Sequence, residues 1–360
     1  MSKQTTRRPA RIAGLGLLGV LALAPAAYGE DAVTTPQGPT AQSDTPTQPV
    51  GRPPAEKEDA RPPQIETLIS STGVLTPKGK FILEPSFQYA YSSVYRIGLE
   101  GYTVLPAILI GAIQIEDTSR NTYIAALTGR YGLTDRLEVE ARVPYVWRTD
   151  SSLTRNVQNG GTSEPILVDA DGSDIGDVEV AAHYQLNRGG QAGFYVGNLR
   201  VKTITGKNPF EVPRDPATNL LTELPTGTGF WSVQPSLTAI FPSDPAVFYG
   251  NLSYSWNIER DVGYGYGKID PGDAVGFGFG MGLSLNEKAS FSLGYDHSII
   301  GKPKQNGMTV PNTRMLQVGS VLFGYSYRLT PKTGFNLNFG VGATQDAPDV
   351  QLTLRLPITF

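Results

Sequence analysis

The chain has 360 residues and a net charge of −3, enough length for two average soluble domains or one large β structure, and no basic excess to suggest a nucleic-acid partner. It contains no cysteine and only two histidines, which removes disulfides and thiolate metal sites. Glycine (41), tyrosine (17) and phenylalanine (14) are plentiful instead.

Residues 1–29 read as a secretory signal peptide. Arg7, Arg8 and Arg11 precede a short apolar core, Ile12 to Leu23, and Ala27-Tyr28-Gly29 offers a cleavage site. A core of roughly 12 residues is too short to span a bilayer, which takes ~20 in a helix. Pro9 follows the Arg7-Arg8 pair and the rest of a twin-arginine motif is missing, so Sec export is expected. Residues 30–70 follow as a largely disordered periplasmic linker, rich in Pro, Thr, Gln and charge, with a short helical turn over Gln64 to Ser70.

Residues 71–360 carry the folded part. From Lys80 onward apolar residues alternate with polar ones, the period of a strand. The first strand reads Phe81, Leu83, Phe87, Tyr89, Tyr91; the second Tyr123, Ala125, Leu127, Tyr131; the third Leu137, Val139, Ala141, Val143, Tyr145, Trp147. Nine more follow, led by Val178, Tyr195, Trp231, Phe248, Val275, Phe291, Phe323, Phe335 and Val350. Short turns, such as Gly132-Leu133-Thr134-Asp135 and Thr330-Pro331-Lys332-Thr333, alternate with long loops near 150–175, 205–228, 259–272 and 301–313. That alternation fits an outer-membrane barrel with short periplasmic turns and long external loops. No segment is apolar enough for a helical span, and an exported chain that enters a membrane without one must close a barrel. The fold class is therefore all-β: an antiparallel up-and-down transmembrane β-barrel of 12 strands. Fourteen is the alternative, because residues 96–118 form either a long first external loop or two further membrane strands. The last strand ends on Phe360, as a strand read by the barrel-assembly machinery would, and Pro357 marks a frayed or bulged seam three residues before it.

Charge on a lipid face costs ~2–4 kcal/mol near the midplane, so polar rows must face the lumen. The candidates for the lumen lining are Arg130, Arg136, Glu138, Glu140, Arg142, Arg148, Asp177, Glu179, His183, Arg200, Lys202 and Arg355, with Glu84, Gln88 and Arg328 on the same parity. They either pair across a narrow barrel and hold it together or give a passage its selectivity. The row Gly276, Gly278, Gly280, Gly282 either leaves room for a plug or permeant or permits curvature.

Enzymatic readings fail on spacing. A barrel lipase needs His and Ser at i and i+2, yet Ser298 directly follows His297 and His183 has Gln185 at i+2. Asp169-Ala-Asp-Gly-Ser-Asp174 lacks the order and the downstream Glu of a calcium hand, so an acidic external loop is preferred. No catalytic residue, cofactor site or metal site is expected.

Three stretches carry a family resemblance: Leu75-Thr-Pro-Lys-Gly-Lys-Phe81, Arg130-Tyr-Gly-Leu-Thr-Asp-Arg-Leu-Glu-Val-Glu-Ala-Arg-Val-Pro-Tyr145, and Asp174-Ile-Gly-Asp-Val-Glu-Val180. Together they resemble the outer-membrane transporters named after the meta-cleavage pathway of phenol degradation, over roughly residues 70–360. The resemblance implies an outer-membrane channel or transporter for passive passage of small molecules, aromatic or hydrophobic ones among them. The alternative is a structural barrel with a closed lumen. Its expected partners are outer-membrane lipid and lipopolysaccharide, the assembly machinery through Phe360, and the permeant.

Overall fold

A computed structural model describes residues 75–94, 113–156, 166–189, 193–213, 221–243, 246–263, 265–311 and 313–360. All of them belong to one compact unit, Glu58–Phe360. The expected signal peptide, the linker and the Gln64–Ser70 turn lie outside the described residues.

No helix occurs among the described residues. The strands are β1 (Phe81–Val94), β2 (Ile113–Thr134), β3 (Leu137–Asn156), β4 (Ile166–Ile175), β5 (Glu179–Gln185), β6 (Phe194–Lys202), β7 (Ser232–Pro242), β8 (Ala246–Asn257), β9 (Arg260–Asp261), β10 (Lys268–Asp270), β11 (Ala274–Ser284), β12 (Ala289–Ile300), β13 (Lys304–Gln305), β14 (Met308–Thr309), β15 (Leu316–Thr330), β16 (Thr333–Gly342), β17 (Val350–Arg355) and β18 (Ile358–Thr359). Fourteen of these segments form one sheet, every described pair antiparallel, and it closes because β1 pairs with β2 on one side and with β17 on the other. β4 with β5, and β17 with β18, are halves of single interrupted strands, so the barrel has twelve staves. The twelve-strand expectation holds.

Closure explains the lipid-facing rows. A closed sheet leaves no edge unpaired, and its outer face must suit hydrocarbon. Along β2, Leu127 is 49 % exposed while Thr128 beside it is 4 % exposed. The same parity exposes Val139, Val143, Tyr145 and Trp147 on β3, Phe277 and Phe279 on β11, and Leu352 on β17. These are the predicted outward rows. The connections alternate as well, short between β2 and β3, β7 and β8, and β15 and β16 at one end and long between β6 and β7 and between β8 and β11 at the other.

The loop boundaries differ from the sequence reading in three places. First, β2 and β3 are longer than a membrane crossing needs. At 22 residues β2 is about 73 Å along its axis, against the ~9–11 residues of a tilted span. Residues 113–118, assigned above to a first loop or an extra strand, are instead the far end of β2, paired with β3; the remainder of 96–118 lies outside the described residues. Second, the acidic stretch Asp169–Asp174 is strand, not loop, because β4 extends β3's ladder from Ile166 to Ile175. Periodicity missed it because Asp, Gly and Ser are poor strand formers. Third, β9, β10, β13 and β14 make a separate four-stranded sheet at the long-loop end. Its β13–β14 hairpin turns on Asn306 (φ 51°) and Gly307 (φ 80°), the pair of positive angles that a two-residue type I′ turn requires.

The seam at Pro357 behaves as its chemistry dictates. Proline has no N–H to give the ladder, so pairing stops at Arg355 and resumes at Ile358. Neighbours take over: Leu356 donates to Pro85 O, and Pro357 O accepts from Gly334 N. Phe360 N donates to Phe81 O, and the two rings lie 6.2 Å apart.

Candidate functional site

The inward face divides into two walls of different chemistry. On β1, β2, β3, β5 and β6 it is charged. Residues i and i+2 share a face, so the sequence Glu138-Val-Glu140-Ala-Arg142 puts three charges in one row. Register then sets Arg130 opposite Glu140, Glu138 opposite His183, Arg142 opposite Glu179, and Glu179 opposite Lys202.

Opposite charges meet across nearly every one of these ladders. Arg130 reaches Glu140 at 2.9 Å and Glu84 at 3.2 Å. Arg142 and Arg200 approach the two oxygens of Glu179 at 3.5 and 3.8 Å. Lys202 lies 3.8 Å from Asp177, and His183 Nε2 lies 3.8 Å from Glu140. Three candidates sit at the margins of this network. The Arg148 guanidinium donates to Pro225 O; Arg136 lies beside the short turn, where its N–H donates to Thr134 Oγ1; Arg355 is on the seam strand, level with Ser86 and Asn336.

From β7 round to β17 the inward row is mostly uncharged, built of Ser, Thr, Asn, Gln and Gly. The glycine row on β11 has a specific use here. A Cβ at Gly280 would lie 2.5 Å from the Tyr249 hydroxyl and 2.6 Å from Leu293 O, and one at Gly276 would lie 2.6 Å from Ser253 Oγ. One at Gly278 would overlap the Asp296 carboxylate. The glycines are seats for inward side chains of the neighbouring strands. Between the walls is a cavity of about 230 Å³, lined on the charged side by Glu179, Arg200 and Lys202 and on the other by Gln234, Asn251, Asp296 and Ser298. Ile300, Val318 and Leu322 are apolar residues in its lining.

Both ends of the lumen carry inserted chain. At the long-loop end, residues 203–213 and 221–231 fold back onto the barrel wall. Asp177, at the interruption between β4 and β5, accepts from Gly206 N (3.1 Å), Thr228 N (2.8 Å) and Thr228 Oγ1 (2.8 Å), while Lys202 Nζ donates to that hydroxyl at 2.6 Å. The two arms of the loop meet backbone to backbone at Gly206 and Gly227, where any Cβ would be blocked. Phe210 and Phe230 pack edge to face, 5.9 Å apart, and with Val262, Ile269 and Tyr266 they join the loop to the small sheet. Further out, Lys207 bridges Glu223 (2.5 Å) and Asp174 (3.5 Å); its hydrogen bond to Glu223 in particular holds the ammonium above the usual lysine range. Asp174 thus faces a lysine, whereas Asp169 and Asp171 fall on the opposite, exposed face of β4, so these carboxylates do not converge as a calcium loop would require. At the short-turn end Leu75 and Thr76 are buried, and Thr76 N donates to Glu138 at 2.5 Å.

Neither histidine stands beside a serine hydroxyl. His183 Nδ1 bonds Asn198 Oδ1 at 2.8 Å, and His297 Nδ1 bonds the Tyr295 hydroxyl at 2.9 Å while its ring stacks on Phe277. Sequence reasoning missed Asp296, Tyr249, Thr228 and the Phe210–Phe230 pair. Parity could have found the first two, since Asp296 and Tyr249 share the lumen row of their strands. Nothing periodic marks the loop residues.

A family model described as "Putative MetA-pathway of phenol degradation" matches residues 107–360. Among solved structures, an outer membrane channel from Pseudomonas putida F1 is similar with a TM-score of 0.55 and 18% identity, covering 79% of this chain and 97% of that one. The translocator domain of the autotransporter NalP from Neisseria meningitidis follows with a TM-score of 0.45 and 7% identity, covering 82% and 93%. At such identities the first likeness establishes the fold alone, that of an outer-membrane β-barrel, and the second adds nothing to it.

Proposed function

This chain belongs to the family described as "Putative MetA-pathway of phenol degradation", and from that premise we propose that it is an outer-membrane channel through which small molecules pass by diffusion. The observation that carries the reading is the cavity of about 230 Å³ between the charged wall and the hydroxyl- and amide-bearing wall. That is many times the ~10–15 Å³ a single water needs, and room for one small ring compound. A barrel that serves only as scaffold fills its interior with packed side chains; here a polar space remains between the two walls. In this reading the short turns are periplasmic and the long loops external, the outer rows contact lipid and lipopolysaccharide, and Phe360 is read by the assembly machinery. Residues 1–29 direct Sec export.

The permeant that suits this lining is a small aromatic bearing a polar or anionic group. Ile300, Val318 and Leu322 would take the ring, and the partly exposed Arg200 the anion. The protein is not an enzyme on this reading, since the histidine hydrogen bonds run to Asn198 and Tyr295 and not to a serine hydroxyl.

One rival is favoured by a specific observation. Inserted chain at both ends, Leu75–Thr76 and residues 203–213 with 221–231, suits a closed structural barrel. Planar-bilayer conductance separates the two, followed by liposome swelling with benzoate, sugars and fatty acids. Single-channel steps, swelling fastest in benzoate, and a changed anion preference in Arg200→Ala are expected. Absence of both conductance and solute flux in folded protein refutes the channel.

A further inference from the structure

We propose that Glu138, Glu140 and His183 form a binding site for one divalent first-row transition metal ion, with zinc as the reference ion, on the charged wall of the lumen. One ligand atom from each of the three lies within 4.8 Å of the others. The strands assemble the set: Glu138 and Glu140 stand at i and i+2 on one face of β3, and register puts His183 of β5 opposite Glu138. Opposite Glu140 the same strand carries only Ala181.

The histidine supplies the argument that goes beyond clustered carboxylates. Asn198 Nδ2 donates to Val196 O at 3.5 Å, a carbonyl that can only accept, and lies 3.1 and 3.2 Å from Ser236 Oγ and Thr238 Oγ1, so that Oδ1 faces the imidazole. An amide oxygen can only accept, so the proton of a neutral His183 sits on Nδ1 and the lone pair on Nε2. That Nε2 is shut off from solvent and has no hydrogen-bond partner. It points at Glu140 Oε2, 3.8 Å away, one acceptor facing another. A cation between them resolves the conflict. A histidine whose other nitrogen is fixed by a hydrogen bond, as Asn198 fixes this one, is the usual arrangement of a metal-ligating imidazole.

Charge and ligand type agree. Glu84, Glu138 and Glu140 gather round Arg130, and Arg200 also acts on Glu140, so the three carboxylates keep an excess of negative charge that a cation offsets. An imidazole nitrogen with two carboxylates suits zinc, copper or nickel, whereas calcium prefers six to eight oxygens. Zinc bonds of ~2.0–2.2 Å require the ligand atoms to close by up to about 1.5 Å, within reach of two flexible glutamates. The rival is an imidazolium paired with Glu140. The site does not depend on whether the lumen conducts.

The test uses the purified full-length barrel, stripped with EDTA and titrated with Zn²⁺ by calorimetry, and with Co²⁺ as a visible-absorption probe. Expected are one saturable Zn²⁺ site per chain and Co²⁺ bands that Zn²⁺ displaces and Ca²⁺ does not. His183→Ala and Asn198→Ala should each weaken binding by at least about tenfold, and His297→Ala should leave it unchanged. No saturable binding in the wild type, binding retained in His183→Ala, or binding lost in His297→Ala each overturns the site. If the His183 variant does not fold, the wild-type Co²⁺ spectrum decides, and a protein without displaceable bands has no such site.

Discussion

Replacing Arg130 by Met removes a charge while keeping most of the side-chain volume, and its cost distinguishes a dry charged wall from a wet one. The guanidinium is 8 % exposed, and its partners Glu84 and Glu140 are 5 % and 13 % exposed. Exposed ion pairs are worth ~0–1 kcal/mol, but removing one member of a buried set strands the others and costs ~3–5 kcal/mol. The burial places Arg130 in the second class, so a loss of ~3–5 kcal/mol is expected. With an m-value of ~2–3 kcal/mol/M in urea, the midpoint for unfolding from lipid vesicles falls by roughly 1–2.5 M. The variant that also carries Glu84→Leu and Glu140→Leu should recover most of that loss, because it removes both carboxylates that pair with the guanidinium. A single-variant cost under ~1 kcal/mol, or a triple variant no more stable than the single one, refutes the picture of a dry, mutually paired wall.

Three further outcomes follow from the same structure. Asp177→Ala unties the loop from the β4–β5 interruption and should raise single-channel conductance, with residues 203–231 becoming sensitive to protease; unchanged conductance together with an intact loop would show that Asp177 is not its anchor. Leu127→Arg, on the lipid face of β2, should cost ~2–4 kcal/mol by urea unfolding, whereas Gln234→Arg on the lumen side should cost far less. The Lys207 latch follows from its raised pKa: the ammonium's contribution is complete below the unfolded lysine value of about 10.5 and is lost as pH rises through the higher folded value. Loop protection from protease should therefore be flat from neutral pH to about 10 and fall above that, and Lys207→Met should abolish this alkaline step; an identical pH profile in the variant counts against the latch.

The outward rows were readable because each residue's requirement is local. A strand sends alternate side chains to opposite faces, and hydrocarbon tolerates only one kind of row, so Leu127 and Val143 could be placed without knowing their neighbours. The alternating connections and the weak point at Pro357 were readable for the same reason. The fourth stave was only half legible. Val180 and Tyr184 alternate, but Asp169 to Asp174 read as loop because composition spoke against a strand that β3 nevertheless templates. The glycine row gave the place of a feature but not its use, which rests on Tyr249 and Asp296 of the strands on either side.

The sequence by itself determined that this chain closes a barrel and which residues turn inward, because period, polarity and the lipid's intolerance of unpaired backbone act on each strand alone. Only the tertiary structure decided which inward residues meet. Glu138 meets His183 through the β3–β5 register, Arg130 joins Glu84 across 46 residues, and Asp177 holds Thr228 across 51. Such pairings depend on inter-strand register and on a loop folding inward, and no local pattern specifies either.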